Sequence, residues 1–96
     1  MSFLHVVTFK WREDDFGDQS IAEALKRLVA DLDGVQNYIC GSDIGLTPSS
    51  YDFAVVGIFE SREQFTTYRD HPEHQRIINE MIVPNLDHRT VVQLEN

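Results

Sequence analysis

The chain of 96 residues has one cysteine, Cys40, so no internal disulfide can form and a reducing compartment is expected. Basic residues are scarce too: eight Lys and Arg stand against sixteen Asp and Glu, a formal net charge of −8. A surface of that sign repels phosphate backbones and anionic headgroups, which argues against nucleic-acid and membrane partners. No apolar run approaches the roughly 20 residues of a membrane-spanning helix. Met1 to Lys10 lacks the basic start and apolar stretch of a signal peptide, so a cytoplasmic location is expected. Low-complexity tracts are absent as well, and with 42% hydrophobic and 25% charged residues the composition is that of an ordinary folded domain. The length accommodates one domain, residues 1–96, with a modest core. Oligomerisation is the natural way for such a core to gain burial.

Strand-forming residues open the chain. Phe3 to Trp11 alternates Phe3, His5, Val7, Phe9 and Trp11 against Leu4, Val6, Thr8 and Lys10, which predicts a strand apolar on both faces. A polar loop follows. Ser20 with Glu23 three residues on has the spacing of a capping box, and Ile21, Leu25, Leu28 and Leu32 form one helical stripe. Gly34 suits the left-handed position after that helix. Val35–Ile44 and Phe53–Glu60 read as strands, the latter again apolar on both faces. Ser61 and Gln64 repeat the capping spacing before a short helix, which Pro72 breaks or restarts. His74, Ile77, Ile78, Met81 and Ile82 continue at helical spacing to Pro84, and His88 to Leu94 predicts the last strand.

The order is βαββαβ, the ferredoxin-like arrangement: a four-stranded antiparallel α+β sheet with helices on one face. Helices cannot cover the other face, so a second copy of the sheet is the expected cover and a homodimer the expected partner state.

Three segments then resemble one family. Phe3-Leu4-His5-Val6-Val7-Thr8-Phe9-Lys10, Asp52-Phe53-Ala54-Val55-Val56-Gly57-Ile58-Phe59-Glu60-Ser61 and Tyr68-Arg69-Asp70-His71-Pro72-Glu73-His74 are similar to the stress-responsive A/B-barrel domain. The resemblance implies a dimeric α+β barrel, and most relatives have no assigned reaction. The best-understood one, olivetolic acid cyclase, is a plant polyketide cyclase that needs no cofactor. Its catalytic tyrosine and histidine match Tyr68 and His74, and a histidine of its first strand matches His5. A further pocket histidine of that relative falls at Phe53, where the polar contact is missing.

These residues admit two readings. In the first, His74 moves a proton, Tyr68 orients a carbonyl or a developing enolate, and His5 holds a polar end of a small apolar substrate. Val7, Phe9, Phe53, Val55, Leu25 and Leu28 would build the pocket wall, and no cofactor is required. In the second, the same groups are hydrogen-bonded core residues of a non-catalytic binding or structural dimer. His71 is expected to serve the exposed amides of the last helix, and Trp11 and Phe16 to pack rather than gate. His5, His71, His74 and Cys40 do not have metal-ligand spacing, so no metal is expected. A cofactor-free monooxygenase or a haem-degrading enzyme is a further alternative, carried only by the wider barrel group.

Overall fold

The computed structural model describes residues 1–96, and its frame is set by β1, Phe3–Trp11, at the middle of the sheet. Helix α1 spans Gln19–Ala30; β2 is Val35–Ser42, β3 Phe53–Phe59, α2 Arg62–Asp70, α3 Pro72–Ile77 and β4 Leu86–Glu95. A π-helical turn, Ile78–Ile82, and a 3-10 turn, Val83–Asn85, join α3 to β4. The sheet order is β2-β3-β1-β4 with all three pairings antiparallel. This is the expected ferredoxin-like α+β arrangement, an open sheet with its helices on one face.

The register sorts the side chains. Opposite residues of antiparallel strands share a face, so Phe3, His5, Val7 and Phe9 stand with Phe59, Gly57, Val55 and Phe53 beneath the helices. The core forms there from Val7, Phe9, Trp11, Phe53, Val55, Phe59, the α1 stripe Ile21, Leu25 and Leu28, and Phe65, Tyr68, Ile77 and Ile82. The opposite face carries Leu4, Val6, Val56, Ile58, Val92 and Leu94 in register, and no element of the chain lies over it. Ile39 opposite Val56 extends that apolar face and is 58% exposed.

Local signals held where short-range chemistry decides. Ser61 caps α2, its hydroxyl accepting from the Gln64 amide, and His71 caps α3, its Nδ1 accepting from the Glu73 amide. Gly34 has φ +80, and any Cβ there would collide with the Gln64 side chain at 2.5 Å. The capping box at Ser20 is corrected: α1 starts at Gln19 with Asp18 at the cap position, and no side chain caps it. The Asp18 carboxylate is engaged elsewhere, accepting from Trp11 Nε1 at 2.9 Å and from the Ser42 hydroxyl. Those bonds tie the loop before α1 to β1 and β2. The second strand ends at Ser42 instead of Ile44, because Asp43 already turns the chain, its carboxylate accepting from the Gly45 amide. The last strand begins two residues earlier than expected, at Leu86, through an irregularity that pairs Trp11 with Leu86 and Lys10 with His88.

Candidate functional site

Between the sheet and the second helical segment lies a narrow cavity of about 70 Å³. A water needs roughly 10–15 Å³ of such space, so the cavity holds a few waters or a small organic group. His5, Val7 and Phe9 of β1, Val55 of β3, Leu25 of α1, Tyr68 of α2 and His74 of α3 line it. Ile78, Ile82 and Val83 close one side, and Leu86, Arg89 and Val91 of β4 the other. Arg89, Val91 and Val83 are exposed, which marks the mouth as the gap between β4 and the turn at 78–83.

The three histidine and tyrosine positions expected at a site do converge. The rings of Tyr68 and His74 lie 4.2 Å apart between centroids, and those of His5 and Tyr68 6.3 Å. Val7, Phe9, Val55 and Leu25 stand in the wall as well. Leu28 and Phe53, expected with them, lie outside it. Phe53 is packed with Phe9 and Trp11, each 6.0 Å away between ring centroids. Leu28, nearly one turn beyond Leu25, faces the groove between α1 and α3.

His5, Tyr68 and His74 are each held by a hydrogen bond. His74 Nδ1 lies 3.0 Å from the Arg69 carbonyl oxygen, which can only accept, so Nδ1 carries the proton. Nε2 is then a free lone pair. It has no protein partner, and since no partnerless side-chain nitrogen or oxygen is sealed from solvent, it stays accessible on a residue of the cavity wall. Burial lowers the His74 pKa, outweighing the Arg69 bond that raises it. The imidazole is therefore neutral at pH 7.

His5 has the complementary tautomer. Its Nδ1 accepts from the Gln93 amide at 3.2 Å, leaving the proton on Nε2. Burial first, then the charges of His74 and Arg89, brings its pKa from 6.5 down to about 4. Tyr68 Oη is 2.7 Å from Tyr38 Oη, and burial pushes the Tyr68 hydroxyl up to about 12. Both phenols stay protonated; burial drives the Tyr38 pKa upward too. When Tyr38 donates to Tyr68, the Tyr68 hydroxyl is left free to donate onward.

Several of these groups could not be found by inspection of the chain. Arg89, Val91 and Gln93 reach the site only through the β1–β4 register, and Leu86 through its irregularity. Ile78 and Ile82 stand on the π turn, a helix distortion often found at functional sites, and Val83 on the 3-10 turn that follows it. Tyr38 carries no sequence signal beyond its place in a strand, and only the β2–β3 register sets it opposite Gly57. Cys40, buried with its pKa raised by burial, lies outside the wall.

Comparison with known proteins bears on the family and the fold. The family model described as the stress responsive A/B barrel domain matches residues 3–96. A stress-response A/B barrel domain-containing protein of Arabidopsis thaliana, DABB1, is 33% identical over 82 residues, covering 79% of this chain. The match spans only 39% of that relative's length. A dimeric ferredoxin-like protein of unknown function from Thermobifida fusca superposes with a TM-score of 0.86 at 35% identity, over 98% of this chain and 90% of that one. The same fold, at 14% identity and a TM-score of 0.68, is found in a hydroxynitrile lyase from Passiflora edulis, over 97% of this chain and 91% of that one. With the family model matched from the first strand to the last, the chain belongs to the stress-responsive A/B barrel domain family.

Proposed function

We propose that this protein is a homodimer, joined through its open sheet faces, that binds a small apolar carbonyl compound in each cavity and moves a proton on it without a cofactor. One observation carries the reading: a histidine of the apolar cavity wall, fixed through Nδ1 by the Arg69 carbonyl, has its unpartnered Nε2 left over, with its ring beside that of a phenol. A neutral imidazole with a free lone pair is a general base near neutral pH. Tyr68, receiving a hydrogen bond from Tyr38, supplies a donor where the carbonyl oxygen becomes an enolate. His5 Nε2–H offers a second donor for a polar end of the ligand. Reaction would follow as proton loss from the carbon beside the carbonyl to His74 Nε2, with the electron pair moving to the carbonyl oxygen. Cyclisation, aldol or lyase chemistry can start from that enolate. The dimer is supported by the uncovered apolar sheet face and by relatives described as dimeric.

Hydrogen–deuterium exchange at the acidic carbon of simple 1,3-diketones and β-keto esters in D₂O, followed by proton NMR, tests the proton step. Wild-type protein is expected to accelerate exchange and His74→Ala to abolish the acceleration while remaining dimeric. Equal exchange by the two proteins would sink the assignment of His74.

A non-catalytic binder is the second reading, favoured by one specific feature: Tyr68 is already bonded to Tyr38 and His5 to Gln93. It predicts tight ligands and no exchange.

A further inference from the structure

Arg89 is the one cavity-lining group with a permanent charge. It stands opposite Phe9 in the β1–β4 register, on the helix-covered side of the sheet, two residues from Val91 and four from Gln93. The six ion pairs of the chain leave it out, as do the side-chain hydrogen bonds. None of the thirteen residues around the cavity is acidic, although acids outnumber bases two to one in the chain. The mouth is therefore a locally positive spot on an acidic protein, backed by an apolar interior.

We infer that the cavity receives small apolar carboxylates, the hydrocarbon body between Val7, Val55, Leu25 and Ile82 and the carboxylate at the mouth on the Arg89 guanidinium. The inference rests on the cavity being a ligand site, as proposed above, and adds the class of ligand. A guanidinium presents two parallel N–H donors that match one carboxylate. With a single cation at the mouth, a monoanion is neutralised and a phosphate dianion is not. An edge-strand arginine in water needs no partner, so exposure by itself says nothing. What separates Arg89 from a solvated charge is its place in the cavity wall, with two neutral histidines behind it and no carboxylate to pair with. Its charge also reaches inward, as one of the causes that lower the His5 pKa.

Matched probes test this without knowledge of the natural ligand. Benzoate and hexanoate are titrated beside benzamide and hexanamide at pH 7.5 into wild-type protein, Arg89→Gln and Arg89→Lys. Calorimetry gives the affinities, and NMR of the His5 and His74 ring protons reports entry. Wild type is expected to prefer each acid over its amide by about tenfold, the scale of a charge-assisted bidentate pair. In Arg89→Gln that preference should fall to within about twofold, with amide affinity unchanged, and Arg89→Lys should restore it only in part. Amides binding as well as acids to wild type would overturn the role of Arg89 while leaving the cavity a ligand site. Acid binding that depends on Arg89 but leaves the histidine rings unmoved is surface pairing alone and overturns the inference. Neither acid nor amide shifting the histidine rings would remove the ligand site itself, and the inference with it.

Discussion

Acid should unsettle this fold through His5, and the size of the effect can be worked from its surroundings. In the unfolded chain the imidazole takes up a proton near pH 6.5; in the folded one it does so only near pH 4, because burial and the neighbouring His74 and Arg89 disfavour the cation. Above pH 6.5 both states hold His5 neutral, and it makes no pH-dependent contribution. As pH falls from 6.5 toward 4 the unfolded state binds the proton first, so stability drops across that window and levels off below it. At about 1.4 kcal/mol per pH unit, the full displacement sets an upper bound of about 3–4 kcal/mol. His5 is only partly buried, and solvent screening reduces this to about 1–2 kcal/mol. The measurement is urea denaturation at fixed protein concentration between pH 7.5 and pH 4, on wild type and His5→Gln. Gln keeps a neutral polar group beside Gln93 and cannot titrate. Differences between the two curves cancel the surface carboxylates they share. Wild type should lose about 1–2 kcal/mol more than the variant over that range. Parallel curves, or a His5 ring resonance that titrates near 6.5 by NMR, would refute the account of a cavity that keeps its histidines neutral.

Other consequences are as direct. Asp18→Ala removes the acceptor shared by Trp11 Nε1 and Ser42, leaving the buried indole donor unpaired; a loss of about 2–3 kcal/mol in urea is expected, with a changed Trp11 fluorescence spectrum. Gly57→Ala sets a Cβ 2.7 Å from Phe59 Cε1 and 3.4 Å from Tyr38 Cδ1. Because Phe59 is fully buried and cannot yield, overpacking should cost about 1–3 kcal/mol, measured as a lower denaturation midpoint. Val56→Glu puts a charge at the centre of the open sheet face, opposite Val6 and Ile39, and should turn a dimer into a monomer by light scattering. Ser61→Ala should cost about 1 kcal/mol through the lost α2 cap, without altering the dimer.

The amino-acid sequence by itself determined the element order, because that information is local. Alternation in Phe3–Trp11 and Phe53–Phe59, the caps at Ser61 and His71, the turn at Gly34 and the break before Pro72 each depend on a few neighbouring residues. It also marked His5, a polar group on an apolar strand face, while Tyr68 and His74 were marked by the resemblance of their segment to a family motif. Tertiary structure decided the rest, because the cavity is a matter of register and distance between segments far apart in the chain. The β1–β4 pairing brings Arg89 and Gln93 to His5 across more than eighty residues. The π turn at Ile78–Ile82, which periodicity reads as plain helix, supplies part of the wall. Aromatic packing takes Phe53 out of it, and the Trp11 and Ser42 donors turn Asp18 from a helix cap into a buried acceptor. A local pattern can say which face a side chain takes, but only the assembled core decides whether that face is filled or left open.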